Sequence, residues 1–301
     1  MSPTNNPIKT IGFAGIGTMG TGMCKNLVSK GFTLFVYNRT KEKAHAIQGA
    51  IVVDTPAELC RHAQLIFTCV TNDAALKDIL YSQHGVMSTL GSGNILVDSS
   101  TTSVPVTAQI AKDCEAKQAK FLDAPLTGSK PAADKGTLLM MIGGEREVFE
   151  HCRPVFDAVG KKLVYCGLNT YGQRVKIALN LTQGMILESY LEGIALALKE
   201  GLSLDAIRDV FDNAGSWNNV AAAKMPTIVQ RDFTPIFLLD LMNKDMKLAE
   251  QEMKKLGIKL PLAESVIMIF GECMDMGLAK QDWSAMVKLL EKRAGVEIVQ
   301  R

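Results

Sequence analysis

The chain has 301 residues, 47% of them hydrophobic, which is long for one core and comfortable for two domains. Its 33 basic and 31 acidic residues leave a formal net charge of +2, so neither nucleic acid nor an acidic membrane is expected as a partner. Seven cysteines without pattern point to a reduced, cytoplasmic compartment, and four scattered histidines (His45, His62, His84 and His151) argue against a metal site.

The opening MSPTNNPIKT is polar and lacks an apolar stretch, so it does not read as a signal peptide. The first predicted strand, 8–14, runs into Gly15-Ile16-Gly17-Thr18-Met19-Gly20 and then a helical pattern carrying Met23, Leu27 and Val28. This is a G-x-G-x-x-G turn in a strand–turn–helix setting. Gly15 permits the tight turn, Gly17 lets a pyrophosphate approach the backbone, and Gly20 lets the helix pack close to its strand. The unpaired N–H groups at the helix start, from Thr18 and Met19 onward, favour phosphate. The alternative is an ordinary structural turn.

The second predicted strand, 33–37, ends in Asn38-Arg39-Thr40. NAD-binding folds usually place an acid here for the ribose hydroxyls. Here a guanidinium and a hydroxyl stand in its place, which favours the 2′-phosphate of NADP(H). The alternative for Arg39 is an ordinary exposed arginine.

Further strands are predicted at 65–70, 95–98, 121–123, 138–142 and 162–165, with helical patterns between most of them. From about Gly172 onward the pattern is helical, with runs at 176–200, 203–213, 243–255 and 262–276. The fold class is therefore α/β: a Rossmann-like, mainly parallel sheet domain over 1–168, followed by an all-helical domain over 169–301. A long helix starting near Gly172 is expected to leave the first domain and enter the second. Segment 177–198 is the nearest thing to a membrane span, but Asn180, Gln183, Glu188 and Glu192 mark it as a buried helix. Chemistry is expected where the strand C-terminal ends meet the start of that helix.

Three segments there carry reactive groups. Asp98-Ser99-Ser100-Thr101-Thr102 and Asp123-Ala124-Pro125-Leu126-Thr127-Gly128-Ser129-Lys130 each follow a predicted strand. Both offer hydroxyls and loop N–H groups suited to a carboxylate, although capped turns use the same residues. In Gly172-Gln173-Arg174-Val175-Lys176-Ile177-Ala178-Leu179-Asn180, Lys176 and Asn180 share a helical face. Gly172, a turn earlier, is expected to leave room for a substrate or a nicotinamide. Burial can lower the pKa of a lysine entering an apolar helix and suit it to acid/base work; a snorkelling surface lysine fits the spacing equally well.

With these motifs in order, and with LLDLMNKDMKLA further on, nearly the whole chain resembles the β-hydroxyacid dehydrogenases. Members include 3-hydroxyisobutyrate dehydrogenase, tartronate semialdehyde reductase and the glyoxylate/succinic semialdehyde reductases. The resemblance implies Lys176 as the catalytic lysine and Asn180 as support for the substrate carboxylate. It implies Thr127, Gly128 and Ser129 as the substrate clamp, and Thr101 and Lys244 as cofactor contacts. Asp245 follows in the family pattern and is placed with the substrate-binding residues. There are departures: many members read Ser-Gly-Gly where this chain has Thr127-Gly128-Ser129, and Leu179 holds the first place of a common asparagine pair. Both resemble the glyoxylate/succinic semialdehyde subgroup more, with Thr127 in place of its usual Ser, whereas Arg174 and the QDWSA at 281–285 resemble sulfolactaldehyde reductases.

The expected activity is NADPH-dependent interconversion of a small acidic aldehyde and its hydroxy acid, with Lys176 as general acid/base and a homodimer or homotetramer as the assembly. The alternatives are a 3-hydroxyisobutyrate dehydrogenase acting oxidatively, an imine reductase, which lacks the lysine, and a non-catalytic NADP-binding protein.

Overall fold

The computed structural model describes residues 7–299, so the first six residues of the N-terminal segment discussed above lie outside it. The chain divides into two compact units, Met1–Lys176 and Ile177–Arg301. The division falls inside one helix, Tyr171–Lys199.

The first unit is built on one sheet. Its strands are β1 (Thr10–Ala14), β2 (Thr33–Tyr37), β3 (Ile51–Val52), β4 (Leu65–Thr68), β5 (Ile95–Asp98), β6 (Lys120–Asp123), β7 (Leu126–Thr127), β8 (Leu138–Gly144) and β9 (Gly160–Gly167). They lie in the order β3-β2-β1-β4-β5-β6-β8-β7, with β9 paired to β8. The first six are parallel. β8 reverses, antiparallel to β6 and β7 and parallel to β9. The chain order reverses between β1 and β4, which is where open parallel sheets bind nucleotides.

Strand residues alternate between two apolar layers, as the pleat requires. Ile11, Phe13, Leu65, Phe67, Ile95 and Val97 face one layer with Phe149 and Phe156. Ala14, Ile66 and Leu96 face the other with Leu59, Leu76, Leu80 and Ile110.

Several boundaries differ from the sequence reading. β1 begins at Thr10, and Gln64 Oε1 takes the Lys9 N–H at 2.9 Å just before it. β4 stops at Thr68, and Ser100 Oγ takes the Val70 N–H at 2.9 Å. The two-residue strands β3 and β7 were not expected, being too short to show a period.

The second unit is helical: after Tyr171–Lys199 come Leu204–Phe211, Asn219–Val229, Leu239–Leu256, Pro261–Asp275 and Val287–Ala294. Ser203 Oγ caps the second of these through Ala206 N, and Asn218 Oδ1 caps the third through Val220 and Ala221 N. Gly257 ends Leu239–Leu256 at φ 65°, a left-handed cap. Helices Asn219–Val229 and Val287–Ala294 were not anticipated. Among the described residues no helix is long and apolar enough to cross a membrane.

A buried acid gives this unit a pH signature. Glu188 is 3% exposed, and its Oε2 has no hydrogen-bond partner among the described residues. Burial, then the charge of Glu192, pushes its carboxyl up to about 7 against the opposing charge of Arg293. The folded protein therefore holds this proton more tightly than the unfolded chain, whose ordinary value is 4.5. Stability from this group falls as pH rises from about 4.5 to 7, and the full cost applies above that. Glu188→Gln is expected to stabilise the protein by about 1–3 kcal/mol at pH 8, and by under about 1 kcal/mol at pH 5. Urea unfolding at the two pH values measures this; equal effects at both would contradict it.

Candidate active site

The glycine turn links β1 to helix Thr18–Ser29. Gly15 has φ 101°, and a Cβ there would lie 2.3 Å from the Cys69 carbonyl at the end of β4. A Cβ on Gly20 would lie 2.3 Å from Gly15 O and 3.0 Å from the Phe13 ring. These two glycines are compelled by protein packing. Gly17 differs: its Cβ would meet nothing within 4 Å. It is also the N-cap, with no side-chain cap, so the first-turn N–H groups of Thr18, Met19 and Gly20 lack a local acceptor side chain. An open, side-chain-free approach to helix N–H groups suits a pyrophosphate.

Asn38 ties this turn to β2. Its Oδ1 accepts from Ile16 N at 2.8 Å, and its Nδ2 donates to Thr40 O at 2.8 Å. Arg39 and Thr40 are exposed at the same strand end. Lys41, next in line, is paired with Asp54 at 2.7 Å, whereas Arg39 has no ion-pair partner among the described residues.

β5 and β6 end side by side, with Asp98 in register with Asp123. Asp98 is fully buried. Its carboxylate accepts from Thr68 Oγ1 at 2.8 Å, Ser100 N at 3.1 Å and Thr102 Oγ1 at 3.3 Å. Burial raises its carboxyl above the usual range, against the pull of these donors. It holds the loop that carries Thr101, which is half-buried. Asp123, also fully buried, is pushed up by burial to about 6 even though the Gln173 and Thr170 backbone N–H groups favour its charge.

Beyond β6, Thr127 and Ser129 are half-buried and Gly128 is exposed. Gly128 has φ 132° and Ser129 φ 57°. A Cβ on Gly128 would fall 2.5 Å from the Ala132 Cβ. A bulky residue there would therefore disturb the turn itself, and Thr127 and Ser129 are the informative positions for a ligand.

Lys176 is 6% exposed, in the second turn of Tyr171–Lys199. Asn180, 2% exposed, follows one turn later on the same helix. The room expected at Gly172 is filled by protein: a Cβ there would lie 2.3 Å from Met141 O and 2.9 Å from Asp123 Oδ2. Gly172 is a close approach of helix to sheet. Within the second unit, Asn180 Nδ2 donates to Asp245 Oδ2 at 2.5 Å, and Lys244 Nζ stands 2.8 Å from Asp245 Oδ1. Asp245, 1% exposed, thus joins the asparagine and the lysine. No group of histidine, cysteine, aspartate and glutamate suited to a metal ion occurs among the described residues.

Asp282 and Gln173 lie within motifs visible in the sequence, but no role is expected of either from the sequence alone. Asp282 binds Lys224 Nζ at 2.7 Å and accepts from Ile236, Phe237 and Ser284 N, each at 3.1 Å. Burial alone would raise its carboxyl, but the Lys224 charge and these donors hold it below the usual range. Its flanking QDWSA was visible as a motif; its partners were not.

Comparisons with known proteins cover both parts of the chain. Residues 10–167 match the family model described as the NAD binding domain of 6-phosphogluconate dehydrogenase. Residues 170–290 match the one described as NAD-binding of NADP-dependent 3-hydroxyisobutyrate dehydrogenase. The chain is 29% identical to glyoxylate/succinic semialdehyde reductase 1 of Arabidopsis thaliana, covering 93% of this chain and 98% of that one. It is 31% identical to 2-(hydroxymethyl)glutarate dehydrogenase of Eubacterium barkeri, covering 96% and 97%. A solved 3-hydroxyisobutyrate dehydrogenase from Salmonella typhimurium superposes with a TM-score of 0.83 at 27% identity, covering 93% of this chain and 99% of that one.

Proposed function

Because the chain belongs to the β-hydroxyacid dehydrogenase family, we propose that it is an NADPH-dependent reductase of small aldehydes bearing an acidic group. The observation that carries this reading is Lys176, a lysine 6% exposed, one turn beyond a helix start bonded to the ends of β5 and β6. The relatives' names supply the substrate class: semialdehydes, glyoxylate and branched hydroxy acids.

Gly15, Gly17 and Gly20, with the N–H groups of Thr18 and Met19, would hold the pyrophosphate. Arg39 and Thr40 would hold the 2′-phosphate, and Asn38 fixes the turn between them. Thr101 and Lys244 are assigned to the cofactor by the family pattern. Bound there, the reduced nicotinamide supplies a hydride to the carbonyl carbon. The hydroxyls and N–H groups of residues 127–129, with Asn180, orient the substrate's acidic end and so the carbonyl. Lys176 stabilises the developing alkoxide with its charge and gives it a proton. In the reverse direction the same lysine accepts the proton of a hydroxy acid. Asp245, its carboxylate engaged by Asn180 and Lys244, serves to place those two side chains rather than to meet an anionic substrate. A homodimer or homotetramer is the proposed assembly, since most soluble oligomers are symmetric self-assemblies.

Two measurements test this. With NADPH deuterated at the transferring C4 position, the hydroxy acid formed from succinic semialdehyde or glyoxylate should carry one deuterium on carbon. Arg39→Ala should weaken NADPH binding by about 1.5–3 kcal/mol and leave NADH binding nearly unchanged. Equal losses for both coenzymes would remove Arg39 from the phosphate site.

A further inference from the structure

The first turn of Tyr171–Lys199 is held by residues far away in sequence. Asp123 Oδ1 accepts from Thr170 N at 2.7 Å and Oδ2 from Gln173 N at 3.0 Å. A cap supplied by the helix's own preceding residue fixes only the helix end; a carboxylate on β6 fixes that end against the sheet. The slot admits little else. Cβ atoms on Gly143 and Gly172 would lie 2.6 Å from Oδ1 and 2.9 Å from Oδ2, so glycines crowd both carboxylate oxygens. Gln173, 0% exposed, adds a second tie: its Nε2 donates to Ser100 O at 2.8 Å and its Oε1 accepts from Thr102 N at 3.2 Å. Asn169 Nδ2 reinforces the seat on Phe121 O at 3.0 Å.

These bonds join three segments. Asp123 stands at the root of the loop carrying Thr127 and Ser129, Gln173 grips both sides of Thr101, and Lys176 lies one helical turn beyond Gln173. We propose that Asp123 and Gln173 are positioning residues, which set the rotation and axial seat of the helix and thereby place Lys176 relative to the Thr101 loop and the 127–129 loop. The inference rests on the reading of Lys176 as the proton donor. Neither residue needs to touch substrate. Their effect comes through geometry, to which reaction rates respond steeply.

The test uses Asp123→Asn and Gln173→Glu in the full chain, alone and combined with Lys176→Ala. Asp123→Asn keeps the shape but sets an NH2 group against one of two N–H donors. Gln173→Glu keeps the acceptor for Thr102 N and turns an oxygen toward Ser100 O. Each variant should fold, and NADPH affinity should fall far less than kcat, because the glycine turn is separately held even though Gln173 flanks the Thr101 cofactor contact. Hydrogen exchange across 168–176 should rise at least about tenfold. Each single variant should lower kcat by roughly 10–100-fold, and by less than about threefold when Lys176 is already alanine. Equal losses in both backgrounds, or unchanged exchange with unchanged kcat, would overturn the proposal. Should Lys176→Ala alone keep near-full activity, the lysine reading falls and the proposal with it. Should Lys176→Ala be inactive while both isosteric variants keep full kcat, only the positioning claim falls. If Asp123→Asn fails to fold, Gln173→Glu decides by the same readings.

Discussion

Lys176→Ala is expected to lower kcat by roughly 10²–10⁴-fold, the usual scale for removing a positioned acid or base. NADPH affinity should change little, since the pyrophosphate and 2′-phosphate contacts lie on the glycine turn and at the end of β2. The lysine is 6% exposed, so the variant also loses packed methylenes, and its melting temperature should be measured beside its kinetics. Lys176→Arg separates proton transfer from charge. A guanidinium keeps the positive charge and does not give up its proton, so an arginine that restored near-full rates would assign Lys176 a purely electrostatic role. The reduction rate should also fall as the medium becomes alkaline enough to deprotonate the lysine, a limb that Lys176→Ala should lack. A Lys176→Ala enzyme with near-parental kcat would remove the mechanism.

The largest stability effect is expected at Asp282. Its side chain is 4% exposed and that of Lys224 10% exposed, and the pair is 2.7 Å apart. Three backbone N–H groups converge on the same carboxylate, two from the loop before Leu239–Leu256, and Lys224 Nζ also lies 5.2 Å from the Trp283 ring. Asp282→Ala would strand a buried ammonium and three donors. The expected cost is about 3–5 kcal/mol in urea unfolding, the range for breaking a buried pair from one side. Replacing both partners with apolar residues should cost distinctly less than Asp282→Ala alone, because no charge is left behind. A loss under about 1 kcal/mol for Asp282→Ala would show that water or rearrangement compensates and that the pair does not organise the unit.

The glycine turn was legible because its steric demands are local: a φ of 101° at Gly15 and a 2.3 Å approach at Gly20 exclude side chains, and the spacing records both. The longer strands were legible from apolar runs. The order of the sheet was not, because the reversal at β8 depends on pairings between segments whose own patterns look alike. The start of the long helix was seen, but not what holds it. Its capping carboxylate comes from Asp123, 47 residues before Thr170 and 50 before Gln173. The same distance in sequence explains the misreading of Gly172. Helical spacing showed a small residue near the lysine; only the fold shows Met141 and Asp123 filling the space. Asp282 is the extreme case, with partners 58, 46 and 45 residues away.

The central claim is reduction of an aldehyde whose acidic end is held by the protein. It is tested most directly by kcat/KM with NADPH for matched pairs, succinic semialdehyde against butanal and glyoxylate against acetaldehyde. The account predicts that the acid-bearing member of at least one pair is preferred by about 100-fold or more, since a site built around an anion leaves its donors unpaired with the plain aldehyde. Equal turnover of acidic and plain aldehydes, or no reduction of either while a cyclic imine consumes NADPH, would contradict it.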